Sequence, residues 1–208
     1  SGSAEGSVQL GADGARGDAG AVTLNLTSLE PGNDGSIITT GEQSPAFVLQ
    51  SIGGGGGFSA LRAVLANQDS LVLGSSFSSQ SSSGGSLGLS NQRSIITAGA
   101  ASPGLVAQSI GGGGGAIQGL NAARTGALVL GSRSATNANA GALELNPIRG
   151  TIATSGSRSA GAVVQSIGGG GGWALVDSLS TTTLGATSLS GGSGGAISVV
   201  LDGLLQTT

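Results

Sequence analysis

The sequence predicts an all-β protein, a right-handed parallel β-helix (β-solenoid) built from repeats of about 58 residues, and three observations carry that reading. The octapeptide Gln-Ser-Ile-Gly-Gly-Gly-Gly-Gly begins at Gln50, Gln108 and Gln165, in steps of 108 − 50 = 58 and 165 − 108 = 57 residues, and a near-constant step of this size marks stacked structural repeats. Between its copies lie short segments such as Val22-Thr23-Leu24-Asn25-Leu26, whose apolar and polar side chains alternate as on a half-buried strand. No hairpin signal recurs at equivalent places, so the strands are read as coiling upward and pairing in parallel with the coil below. A left-handed hexapeptide helix would need a six-residue apolar beat, which this chain lacks.

Taken in order, 1–35 is the second half of a repeat whose first half is missing, followed by whole repeats at 36–93, 94–150 and 151–208 in one continuous solenoid. The phrase GAVTLNL at Gly20 returns as GSLGLSN at Gly85, GALELNP at Gly141 and GAISVVL at Gly195. SIITTG at Ser36 returns as SIITAG at Ser94 and TIATSG at Thr151, and LVLGS at Leu71 returns at Leu128 and, altered, as TTTLG at Thr181. About five extended segments are expected per period, centred near Val22, Ile37, Val48, Leu61 and Val72. The Ser-rich stretches Ser75 to Gly85 and Ser132 to Gly141 read as turns or protruding loops. With three faces to a coil, each period is expected to make two coils of about 29 residues rather than three of about 19. The fragment would then hold about seven coils and stand about 30–35 Å tall at ~4.8 Å per coil.

The composition supports a packed repeat. Glycine accounts for 43 of 208 residues, yet there are only four prolines, and Val, Ile, Leu and Ala recur at fixed places, which a disordered chain does not require. Charged residues are 8% of the chain, with no Lys and no His, and the seven basic residues are arginines scattered along it, so no basic footprint for nucleic acid can be assembled. Cysteine is absent, which removes disulfides and thiolate metal sites.

The repeated motif poses the chemical question. In the strand before the glycines, Val48, Gln50 and Ile52 share one face, and they recur as Val106, Gln108, Ile110 and Val163, Gln165, Ile167. The structural-motif residues are therefore Gln50 with Gly53, Gly54, Gly55, Gly56 and Gly57; Gln108 with Gly111, Gly112, Gly113, Gly114 and Gly115; and Gln165 with Gly168, Gly169, Gly170, Gly171 and Gly172. One reading is structural: the glycines turn sharply or lie flat on a neighbouring coil, Gln bonds their bare backbone, and Phe58 or Trp173 covers them. The other is a nest of amides cradling an anion or glycan. The first is favoured because no Lys or Arg adjoins the run.

Other chemistries find no residues to carry them. A phosphate loop needs a Lys that is absent, and Gly11 to Gly20 does not follow the GGxGxD order of calcium-binding rolls, so no cofactor or metal is expected. The acidic residues do not recur in pairs at equivalent places, and His and Cys are missing, so an enzyme is not expected. Arg16-Gly17-Asp18 matches the integrin-binding tripeptide, a three-letter match of low specificity.

At this level of detail, the stretch GSIITTGEQSPAFVLQSIGGGGG from Gly35 resembles the Gly-rich passenger repeats of large bacterial autotransporters, and the resemblance spans nearly the whole chain. It implies a right-handed β-helix displayed on the surface of a Gram-negative cell, threaded outward through a C-terminal outer-membrane barrel that lies outside these residues. It implies a structural stalk or adhesin segment, monomeric by itself, whose host, matrix or cell-surface ligand is met by other parts of the parent protein. A ladder of Thr, Ser and Gly binding glycan or ice directly is the alternative. The rows that would support it look broken, with Thr39-Thr40 matched by Thr97-Ala98 and Ala153-Thr154.

Overall fold

A computed structural model describes residues 7–10, 17–27, 35–61, 70–74, 78–80, 82–124, 127–132, 134–178, 182–186 and 191–208. Among the described residues every regular element is a strand. Before the first whole period come β1 (Ser7–Leu10) and β2 (Val22–Leu26). That period contributes β3 (Ser36–Thr39), β4 (Phe47–Ile52), β5 (Gly56–Leu61), β6 (Ser70–Leu73), β7 (Ser78–Gln80) and β8 (Leu87–Asn91). The second contributes β9 (Ser94–Thr97), β10 (Leu105–Ile110), β11 (Gly114–Arg124), β12 (Leu128–Leu130), β13 (Ser134–Thr136) and β14 (Leu143–Ile148). The third contributes β15 (Ile152–Thr154), β16 (Ala162–Ile167), β17 (Gly171–Ser178), β18 (Thr182–Leu184), β19 (Ile197–Leu201) and β20 (Leu205–Thr207).

All strand pairs are parallel, and they join equivalent strands of successive periods into the ladders β1-β6-β12-β18, β2-β8-β14-β19, β3-β9-β15-β20, β4-β10-β16, β5-β11-β17 and β7-β13. The chain is a parallel β-solenoid, as the periodicity predicts. Its coil is larger than expected. Val48 pairs with Val106 and Val106 with Val163, so one whole period makes one coil, where two of about 29 residues were expected. With three or four strands per main ladder, the stack stands about 15–20 Å tall at ~4.8 Å per level, and the expected seven-coil column does not exist.

The coil is large because it doubles back on itself. On β10 the residues Leu105 and Ala107 enter one apolar cluster with Leu87, Leu89, Ile95, Leu143, Leu145, Ile148 and Ile152. On β11 Ile117 enters a second cluster with Leu71, Leu73, Leu128 and Leu130. Alternation then leaves Val106, Gln108 and Ile110 on the far side of β10 and Ala116 and Gln118 on the far side of β11, and all five are fully buried. The three-residue reversal between the two strands, Gly111 to Gly113, folds these faces onto each other, so a third interior layer separates the two apolar lobes.

Two further differences from the sequence reading concern the loops. Ser78–Gln80 and Ser134–Thr136, read as loop, pair with each other as β7 and β13 and make a sixth strand in the first and second whole periods. Ser82 and Gly84 are buried, because that segment runs along the glycine turn. A register shift between Leu145 and Ile148 in β14 absorbs one extra residue, at Pro147, which has no N–H to give to a ladder.

Candidate functional site

The glycine run of each coil lies at the waist between the two lobes, and its backbone conformation is the same in all three. Gly112, Gly113, Gly114 and Gly115 have φ of 86°, 80°, 135° and 137°, closely matched by 84°, 86°, 131° and 147° at Gly54 to Gly57 and 80°, 85°, 132° and 146° at Gly169 to Gly172, values that L side chains rarely adopt. The turn is also gripped from both sides: Gly112 N–H donates to Ser82 O at 2.9 Å while Gly112 O accepts from Ser132 N at 3.0 Å. A Cβ on Gly111 would collide with the backbone oxygens of Ala138 and Asn139, and one on Gly114 with Gly171 O of the next coil.

These contacts answer the nest reading for the middle coil. The amides of Gly111, Gly112, Gly113 and Gly114 donate to the carbonyls of Ile167, Ser82, Gly53 and Gly55 respectively. The donors that would have held an anion are bonded to backbone, and the run is a buried structural turn. One residue beyond it, Phe58, Ala116 and Trp173 stand in register as one column.

The glutamines bond one another rather than chiefly the glycine backbone. Gln50 Nε2 donates to Gln108 Oε1 and Gln108 Nε2 to Gln165 Oε1, both at 2.6 Å. The contact to backbone is long, from Gln108 Nε2 to Gly115 O at 3.4 Å. Identical amides stacked at the strand spacing satisfy each other's donor and acceptor, which is why burial of Gln108 costs little. Gln118 shows the contrary case. Its register neighbours are Ala60 and Leu175, and both of its buried amide atoms lack a hydrogen-bond partner.

Sequence reasoning passed over the serines and threonines. Ser109 Oγ donates to Gly85 O and accepts from Gly141 N–H, both at 2.8 Å. Ser51 repeats this with Gly20 and Gly85, and Ser166 with Gly141 and Gly195, so a serine zipper ties the Gln-bearing sheet to the chain entering the opposite sheet. At the corner after β3, β9 and β15, the hydroxyls of Thr39, Thr97 and Thr154 donate to the carbonyls of Ser44, Ser102 and Ser159. The register makes Thr39, Thr97, Thr154 and Thr207 an unbroken row, which corrects the broken row expected from the sequence, because Thr97 pairs with Thr154 and not with Ala153. Thr97 and Thr154 are buried, so the row faces inward. The available signal was position within the motif: the zipper serine is the middle residue of each Gln-Ser-Ile, and Ser44 and Ser102 each precede a proline.

Elsewhere the surface carries little chemistry. Among the described residues no three His, Cys, Asp or Glu side chains could together hold a metal ion. Arg16 lies outside the described residues, while the Asp18 carboxylate accepts the Ser83 amide at 2.7 Å, a loop-fixing contact. Arg149 and Asp202 form an exposed ion pair at 3.5 Å. Comparison with family models, curated protein sequences and solved structures finds no match to this chain.

Proposed function

We propose that this chain is a structural stalk or spacer segment of a surface-displayed bacterial autotransporter passenger, part of an adhesin, without catalytic activity. The observation that carries the reading is the direction of the recurring polar groups. The Gln50-Gln108-Gln165 ladder, the Ser51-Ser109-Ser166 zipper and the Thr39-Thr97-Thr154 corners are all engaged in hydrogen bonds between or within coils. What the repeat keeps constant is its own stacking. The resemblance to passenger repeats supplies the setting: export through an outer-membrane barrel elsewhere in the parent protein, and ligand binding by other parts of it.

The large coil refines the mechanical picture. Each 57- or 58-residue period adds a single level, about 4.8 Å, so the segment makes a thick post held by six ladders rather than a thin fibre. Direct binding of ice or glycan loses its main support, since the unbroken threonine row is internal. The reading is tested by placing the chain between an export signal and an outer-membrane barrel in a Gram-negative host. Added protease should remove it from intact cells, and failure to reach the surface in folded form would count against it. Thermal hysteresis or a specific glycan-array signal from the isolated chain would replace it with the binding reading.

A further inference from the structure

Two glutamines of the middle coil lie in the waist, both fully buried, and they fare differently. Gln108 is bonded by the amides of Gln50 and Gln165. Gln118 has no hydrogen-bond partner at either Nε2 or Oε1. The cause is register: the levels on either side set Ala60 and Leu175 against it, and counting outward from Gly112 sets it opposite Val106 across the waist. None of these three side chains donates or accepts. A buried amide so placed favours any state in which water reaches it.

The ladder gives way beside this residue. β11 pairs with β17 in constant register from Gly114 to Gly119, and then 124 − 119 = 5 residues of β11 stand against 178 − 176 = 2 of β17 before Arg124 meets Ser178. Three residues of slack therefore follow Gly119. β10, by contrast, pairs through all six of its residues with both neighbours and no shift.

We propose that the outer half of β11, from Gln118 to Arg124, is a flap that opens locally while β10 and the glycine turn stay closed. Opening wets the Gln118 amide, draws on the slack after Gly119, and leaves the Gln50-Gln108-Gln165 ladder unbroken. Ile117, packed in the second apolar cluster, marks the inner limit of the movement. The middle coil, which has a level stacked on each side, thus contains a point of low local stability set by one side chain. This inference goes beyond the stalk reading and does not rest on it, because local opening is a property of the isolated chain.

The test is native-state amide hydrogen exchange on the full chain, read residue by residue by nuclear magnetic resonance. The protection factors of Gln118 and Gly119 should be about tenfold or more below those of Gln108 and Ser109, which belong to the same coil. Gln118→Leu should raise protection at positions 118 and 119 by about tenfold and leave Gln108 and Ser109 nearly unchanged. Gln118→Asn, which keeps an amide, should leave the fast exchange in place. Equal protection at the two pairs of residues, or no change at 118 and 119 in Gln118→Leu, overturns the proposal. So does an equal rise at Gln108 and Ser109 in Gln118→Leu, which would mean that only the stability of the whole coil had changed.

Discussion

The second and third coils carry the same phrases in the same register, yet their side chains live in different environments. Leu145 in β14 is 1% exposed, while its partner Val199 in β19 is 50% exposed. Gln108 is fully buried with amide partners on both sides, and Gln165 is half-buried with one. The difference teaches that burial in this molecule belongs to the neighbouring level and not to the residue. Stability in such a stack is approximately a sum over adjacent coils, so the middle coil gains from two interfaces and the last from one.

Substitutions can break or sharpen that contrast. The largest difference is expected between Gly114→Val and Gly171→Val, which share an unfavourable φ near 130° but differ in what the new Cβ meets. At Gly114 it collides with Gly171 O, and at Gly171 it has room. Thermal melts should show loss of cooperative folding, or about 4 kcal/mol or more, for the first and distinctly less for the second. Equal losses would mean that backbone strain alone sets the glycine requirement.

Truncation of the matched apolar pair comes next. Leu145→Ala should cost about 2–5 kcal/mol in denaturant unfolding as a buried cavity, against less than about 1 kcal/mol for Val199→Ala on the exposed coil. Smaller again is Gln108→Leu, which orphans the amide groups of Gln50 and Gln165 and should cost about 1–3 kcal/mol, with Gln165→Leu at the lower end of that range. The smallest effect has the opposite sign. Gln118→Leu replaces an unpartnered buried amide between Ala60 and Leu175, and the melting temperature should rise by the equivalent of about 1 kcal/mol. A fall would show that the Gln118 amide is satisfied in solution.

Legibility in the sequence followed from what repetition can encode. Val48, Gln50 and Ile52 were readable as one face because strand alternation is local, and the glycines were readable as a constrained turn because five in succession at a fixed place have no other local explanation. The partner of Gln50 was not readable. The amide group that meets it is on Gln108, 58 residues away, and nearness in space of two identical letters follows only once the coil length is known. Ser82 read as loop for a related reason: its composition is that of an exposed turn, and only the glycine run pressed against it buries it.

By itself the sequence determined the translation of the structure: the repeat length, the strands, their parallel stacking, and the glycine positions that tolerate no side chain. Tertiary structure alone decided the path within one level. A period constrains how far the chain travels before it meets its own copy, but every route through the period repeats equally well, so two small coils and one doubled-back coil write the same pattern. The choice rests on contacts between distant segments, such as Ser109 to Gly85 and Gly141, and Gly112 to Ser82 and Ser132. Those contacts exist because a backbone without side chains at the waist lets two sheets of one coil close face to face.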